Sequence, residues 1–470
     1  RLAQLAAPTP LLYVAPDDAR LANARECLAF FAPEIERVSI PAWDCLPYDR
    51  VSPRNDLVSE RIVSLVNLAA GDKGPRVVLV TVNALLQRVP PRAALAHAAF
   101  TLTSGAELNT EKLFAYLESN GFSRGGTVME AGDYAVRGGI IDIFPPGAPE
   151  PVRLDLFGET LETIKTFDPV SQRSDGALGE LQLVPMSEVV LNDDTIARFL
   201  AGYRTNFGAV TDADPLFEAV KTGRRYPGME HWLPLFHAEL ETILDYVPGA
   251  PIIFDSLAED ACGERWEAID DYYRARTEGP GTLAGFSLRD YKPLPPELLH
   301  ITRAERDQRF AKHAFATLSP FSAEATSGRQ VFDLGGRQGR VFAAERGKLT
   351  GDLFDSVHAH LGSELRAKKR VLVAGWSVGT RERISRLLNE HGVDSLVPVE
   401  NWRAAEKLPA AAIALAVLPM EHGFAAPGLT VVAEQDILGD RLNRRQRRRR
   451  VKPEEFLADT SELSQGDLVV

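Results

Sequence analysis

Arg153, Asp155 and Phe157 alternate with Val152, Leu154 and Leu156 along the run Val152–Phe157. Such alternation is the pattern of a half-buried strand. It sends the three aliphatic residues to a core and the other three outward. An outward guanidinium can grip a carboxylate with two parallel N–H donors, and an outward phenyl ring can fill an apolar recess. Aromatic and Arg side chains dominate interface hot spots, so the chemistry on offer is recognition of another protein. The plain alternative is a surface strand with a local Arg–Asp pair, worth about 0–1 kcal/mol. Arg137 stands shortly before, ahead of Gly138-Gly139.

Catalytic or metal chemistry has little support. No GxxxxGK[ST] phosphate loop occurs in the chain. His231 and His237 lack Cys or acidic partners at ligand spacing, and no metal site is expected. A Ser–His–Asp arrangement cannot be defended from order alone, because such triads are recognised by geometry. Cys27, Cys45 and Cys262 lie far apart and suggest neither zinc nor a disulfide framework. His422, beside Gly423 in a turn, reads as structural. Residues 441–452 hold seven Arg and one Lys. Arg444, Arg445, Arg447 and Arg448 are the candidate DNA contacts, since counterion release favours binding at low salt. A run of this kind is more often a solvated linker or helix face.

The net charge is −12, of which +8 falls in that window, leaving about −20 for the remainder. Such a body is a poor general nucleic-acid binder. At 470 residues, 45% hydrophobic and 25% charged, the chain reads as several ordinary globular domains. No apolar run approaches the ~18 residues that span a bilayer, and the start shows no charged-then-apolar leader. No membrane association, a cytoplasmic location and a monomer are expected. The chain opens on Arg1, its first methionine is Met129, and it ends on an apolar strand-like stretch, as a fragment would.

The positioning elements follow from periodicity. Leu11–Val14, Val38–Ile40 and Val77–Val82 read as strands, with helices over 17–31 and 57–69 between them. This alternation implies a parallel sheet covered by helices. From Phe100 to Val184 strand-like runs dominate, broken by Gly and Pro; Pro145–Pro151 is too proline-rich to be ladder. Helical pattern returns near Asp193. Residues 312–330 are rich in Ser, Ala and Gly. Beyond them Leu353–Leu361 and Arg381–His391 read as helices, and Arg370–Ala374, Ala412–Leu418 and Leu429–Ala433 as strands.

The stretch from Gly132 to Arg173, reading GDYAVRGGIIDIFPPGAPEPVRLDLFGETLETIKTFDPVSQR, resembles the small β-rich domain of bacterial transcription-repair coupling factors, a region related to the repair protein UvrB. In both families that domain docks on UvrA. The resemblance implies UvrA contacts at Arg137, Arg153 and Phe157. AWDCLPYDRVSP at 42–53 is similar to the coupling-factor signature, and the loop enters the next helix without the long DNA-threading hairpin of UvrB. Thr242–Pro248 with Ile252–Ser256 resembles the UvrB segment that leads into its Asp-Glu-Ser-His box. There one carboxylate helps hold Mg²⁺ and the next activates water. Asp255 keeps the first; Ser256 replaces the second, and a hydroxyl cannot act as general base near neutral pH. Asp255 is then a strand-end turn carboxylate.

The fold class this implies is α/β. A degenerate UvrB-like, helicase-type parallel-sheet domain (1–98 and 185–311) is interrupted by the β-rich UvrA-docking domain (99–184). A linker (312–330), a small α/β domain of unknown role (331–434), and an Arg-rich linker with the start of an RNA-polymerase-interaction domain (435–470) follow. The implied function is recruitment of UvrA to stalled RNA polymerase in transcription-coupled excision repair. The chain itself is expected to be no enzyme and to hold no cofactor. ATP, Mg²⁺ and double-stranded DNA belong to a translocase motor expected beyond residue 470. A truncated UvrB-type helicase subunit and an Arg-rich DNA-binding protein are the alternatives.

Overall fold

In the computed structural model, residues 10–71, 74–96, 98–209, 214–278, 291–321, 324, 330–347 and 353–439 are described. The chain begins with β1 (Leu11–Ala15), whose five residues are all buried. The Asp17 side chain accepts Arg20 N at 2.8 Å and caps α1 (Asp18–Phe31). Next come β2 (Glu36–Ile40), α2 (Asn55–Ala69) and β3 (Arg76–Thr81). β1 and β2 both pair parallel with β3. The near-continuous apolar runs of β1 and β3 reflect burial on both faces, by α1 on one side and α2 on the other, whereas the edge strand β2 alternates.

The chain then leaves this sheet. β4 (Phe100–Thr103) precedes α3 (Thr110–Ser119) and the short β5 (Ser123–Arg124). β6 (Asp133–Arg137), β7 (Ile140–Ile143), β8 (Val152–Phe157), β9 (Thr160–Phe167) and β10 (Ser174–Leu178) follow, and β11 (Glu180–Leu183) returns to pair with β4. Strands β5 to β10 form one sheet in chain order. The helix α3 is absent from the strand-dominated expectation for this region. Asn109 caps it, and Leu113 and Leu117, four apart, bury against the inner face of the sheet. On that face Leu161 and Ile164 join Leu154 in one core although they are three apart. A register shift opposite Asp155 and Leu156 makes this possible, because one extra residue on β9 restores the facing.

A helix α4 (Asp193–Phe207) opens the return. β12 (Ile252–Phe254) adds beside β1 in parallel, and α5 (Ala258–Glu278) crosses back over the sheet. β13 (Phe315–Thr317) then pairs parallel with β12, completing the order β13-β12-β1-β3-β2. This strand lies inside the 312–330 stretch read as a linker. Its ladder to β12 and the packing of Phe315 on Phe254 and Phe310, at 5.2 and 5.5 Å, override the polar composition around it.

The last sheet contains β14 (Arg337–Gln338), β15 (Arg370–Gly375), β16 (Leu396–Val399), β17 (Ile413–Val417), β18 (Phe424–Ala426) and β19 (Leu429–Ala433). α6 (Leu353–Arg366) precedes β15, α7 (Val378–Glu390) links it to β16, and α8 (Trp402–Glu406) precedes β17. The order is β14-β18-β19-β15-β17-β16, with β19, β15, β17 and β16 parallel and β18 antiparallel to both of its neighbours. The core continues past residue 434, since Ile437 is fully buried in it. The chain is thus α/β with two parallel sheets, and their parallel strands share one order of succession.

Two seams hold the parts together. Phe30 is buried with Leu372, Ala374 and Val431 of the last sheet, while Phe31 meets Trp402 and Phe424 at ring separations of 5.7 and 6.3 Å. At the other seam the buried Arg61 of α2 donates through Nε to Glu188 Oε1 at 2.7 Å and through Nη1 to Pro41 O at 2.9 Å. Trp43 Nε1 donates to the same carboxylate oxygen at 2.9 Å. This fastens the 41–53 loop and the exit from the β-rich part to one helix.

Below that loop sits His231, buried against Trp43 and Tyr48. Burial pushes its pKa from 6.5 down to about 3. The unfolded chain therefore binds a proton that the folded chain refuses, and the stability held above pH ~6.5 drains as pH falls toward ~3, by at most about 1.4 kcal/mol per pH unit. The urea midpoint should be lower at pH 5 than at pH 7, and His231→Phe should flatten that dependence. Equal slopes for the two proteins would refute the assignment.

Candidate protein-docking surface

The outer face of the six-stranded sheet is built around a carboxylate absent from the sequence expectations. Asp142 on β7 lies directly across from Arg153 on β8, and Arg137 sits on the neighbouring β6. The Asp142 side chain is only 1% exposed. Arg153 grips it through two bonds, Nε to Oδ1 at 2.7 Å and Nη2 to Oδ2 at 2.9 Å. Arg137 Nη2 adds a third at 3.2 Å. The Arg153 guanidinium also lies 4.5 Å from the Phe167 ring centre and is held above its usual pKa, chiefly by the Asp142 hydrogen bonds. Its side chain is 18% exposed, that of Arg137 49%. The outward Arg153 of the sequence reading is therefore largely spent within its own sheet. Its pairing partner is Asp142, because cross-strand register places that residue opposite; Asp155 instead meets Lys165 at 3.2 Å and Thr163 at 3.0 Å.

The two glycines after Arg137 have geometric reasons. Gly138 adopts φ +61° in the tight turn between β6 and β7. A side chain at Gly139 would press against Leu156 O, 2.9 Å from where its Cβ would lie. This close approach lets Leu156 N donate to Gly139 O at 2.8 Å and locks the turn onto β8. At the end of β8 stands Phe157, 76% exposed, with Ile140 partly exposed on the same face. The structure thus gathers Arg137, Arg153, Asp142, Ile140 and Phe157 along one sheet face. Asp142 was legible only as an acid inside the apolar run Ile140–Phe144, which has no meaning before register is known.

The remaining candidate residues fall elsewhere. Asp255 follows β12 at the carboxyl end of the first sheet, where it accepts Ser256 N at 2.8 Å. The Arg20 guanidinium stands over both, 3.8 Å from Asp255 Oδ2 and donating to Ser256 Oγ at 3.2 Å. A guanidinium thus stands beside this carboxylate. Among the described residues no group of three or more His, Cys, Asp or Glu side chains could hold a metal. Cys45 Sγ lies 3.9 Å from His231 Nε2, a proximity no spacing revealed; burial raises the thiol pKa and keeps it protonated, unsuited to attack or ligation. His422 Nδ1 pairs with the buried Asp436 at 3.2 Å, and that carboxylate also accepts Gly423 N and Ala433 N, so the cluster serves a turn. Arg444, Arg445, Arg447 and Arg448 lie outside the described residues. Among those described, no helix is long and apolar enough to cross a membrane.

Removing the Asp142 carboxylate strands two guanidiniums, one of them mostly covered. The cost of breaking such a pair is about 3–5 kcal/mol in a fully buried site and falls to the low end here, where Arg153 can still reach water. Asp142→Ala should therefore speed hydrogen exchange of the β7 and β8 amides relative to those of β15. Unchanged exchange would show that the cluster carries no stability.

Comparison with known proteins agrees with this geometry. Residues 100–189 match the family described as the UvrB interaction domain, and residues 365–437 match the MFD D3 domain. The chain is 31% identical over 501 residues to the transcription-repair-coupling factor of Myxococcus xanthus, covering 98% of this chain and 39% of that protein. The corresponding proteins of Escherichia coli K12 and Rickettsia bellii are 28% and 27% identical, over 98% and 94% of this chain. The chain spans less than two fifths of the length of these relatives. The resemblance read from the residues is borne out: the chain is similar, over nearly all its length, to the N-terminal part of transcription-repair-coupling factors.

Proposed function

We propose that this chain is the recruitment end of a transcription-repair coupling factor and docks UvrA through the outer face of the β5–β10 sheet. The observation that carries the reading is Phe157, an exposed ring beside the Arg137–Asp142–Arg153 cluster, inside the stretch similar to the UvrB interaction domain. An aromatic of this exposure gains by being covered, and Arg137 keeps guanidinium surface for a partner's carboxylate. In this reading the first parallel sheet is a degenerate UvrB-like body. Arg20 fills the position of a metal beside Asp255, and Ser256 supplies no base, so the chain alone hydrolyses no nucleotide. ATP, Mg²⁺, double-stranded DNA and most of the contact with RNA polymerase belong to the rest of such a protein, acting in the cytoplasm. The Arg-rich DNA-binding alternative has a direct check: deletion of 441–452 must abolish DNA retention if that run is the binding element.

Phe157→Ala should weaken UvrA binding by about 2 kcal/mol or more, roughly 30-fold, without lowering the melting temperature of the chain. Titration calorimetry with purified UvrA reads the affinity. Wild-type and variant chains binding alike, or no binding by the wild-type chain, would remove the recruitment reading. ATP turnover above background by the chain would favour the helicase-subunit alternative instead.

A further inference from the structure

The loop Asp168–Arg173 joins β9 to β10 at the far end of the docking face from Phe157. Val152 lies opposite Thr166, and Phe167 N donates to Pro151 O at 3.0 Å, so the loop starts beside the beginning of β8. Phe157 ends that strand, about 13 Å beyond Arg153 at the rise of an extended chain. The loop is heavily fastened. Asp168 Oδ1 accepts Ser171 N at 2.6 Å, Asp168 O accepts Gln172 N at 2.8 Å, and Asp168 N donates to Arg173 O at 3.0 Å. Gln172 Nε2 donates to Pro169 O at 2.8 Å. Gln172 itself adopts φ +60°, a left-handed conformation that a side-chain-bearing residue holds only with outside support.

Arg153 supplies the support. Its Nη1 donates to Gln172 O at 3.3 Å and its Nη2 reaches Gln172 Oε1 at 3.4 Å. The Nε–Nη2 edge of the same guanidinium is bound to Asp142. Both two-pronged edges of the fork are thus committed inside the chain, and neither is left for a partner's carboxylate. What the fastened loop carries outward is Val170, 83% exposed, the most exposed large hydrophobic side chain among the described residues. An apolar group held on an ordered loop loses little freedom when a partner covers it.

We propose that Arg153 is a positioning residue that holds the Asp168–Arg173 loop, and that Val170 is a second apolar anchor for the same partner that covers Phe157. The Arg137–Asp142–Arg153–Gln172 contacts run along the sheet face that bears Phe157 and end in the loop that carries Val170. This rests on the docking reading, with UvrA as the occupant.

Two measurements on the 470-residue chain test it. In the first, UvrA affinity is compared for wild type, Phe157→Ala and Val170→Asp. Val170→Asp should weaken binding about tenfold at an unchanged melting temperature. Weakening by Phe157→Ala with no effect of Val170→Asp overturns the second anchor alone, whereas no effect of Phe157→Ala overturns the docking reading beneath it. In the second, hydrogen exchange of the Ser171 and Gln172 amides is followed without partner. Arg153→Ala, and Arg153→Lys, which keeps the charge but loses the fork, should both speed exchange there by about tenfold or more while α3 stays protected. Unchanged loop exchange in Arg153→Ala, or full rescue by lysine, overturns the positioning role.

Discussion

A carboxylate enclosed in a sheet face must be compensated on the spot, and that requirement governs the outer surface of the β5–β10 sheet. Asp142 is almost fully covered and accepts hydrogen bonds from Arg153 and Arg137. Leaving an ionised group buried without partners costs several kcal/mol. Arg153 therefore cannot swing away to meet a visitor without stranding Asp142. The cluster behaves as part of the fold, and what remains free to be covered is the set of groups it steadies. The same guanidinium stacks on Phe167, which with Val128 and Ala135 makes a small second core on the outer side of the sheet. A sheet packed on both faces bends little, so its exposed side chains keep fixed mutual positions.

The two parallel sheets outside this face have a topology with its own ligand geometry. In open parallel sheets, ligands bind beyond the carboxyl ends of the strands where the order of succession reverses. Here that crevice occurs twice, between β1 and β12 and between β15 and β19. One of the chain's own side chains stands at each. Arg20 spans Asp255 and Ser256 in the first. In the second, the buried Glu434 accepts Trp376 N at 3.1 Å, at the entry to the turn before α7. A carboxylate bound to the backbone donor nearest a helix start takes the role an anion would otherwise play. The two parallel sheets are tied to each other by Phe30 and Phe31, and the first is tied to the exit from the β-rich part by Arg61 and Glu188.

Legibility followed locality. The parallel strands could be read because Leu11–Ala15 and Arg76–Thr81 are buried throughout and their apolar runs need no partner to be recognised. Val152–Phe157 declared its outward Phe by simple alternation, and the exposed ring agrees. What escaped depends on pairs distant in sequence. β13 hides in a Ser- and Ala-rich stretch because only its ladder to β12 makes it a strand. α3 escaped because its two buried leucines are few against the strand-rich pattern around it. Arg153 was read as outward and free, since alternation gives the direction of a side chain and not what it meets. Asp142 opposite it, and Gln172 beyond, come only with register.

Compensation within the sheet also decides what kind of attraction the face can offer. Arg153 and Asp142 cancel, Asp155 and Lys165 cancel, and Arg137 keeps a single partly exposed positive charge. Exposed ion pairs contribute little and are screened by salt, so charge can orient a partner here but cannot supply most of the binding energy. That energy must come from apolar surface already held in place, where little conformational freedom remains to be lost. Rigidity of the cluster and exposure of the hydrophobic side chains beside it are therefore two aspects of one arrangement. A buried carboxylate is expensive to maintain, and a surface that stays ordered before its partner arrives is the return consistent with that expense.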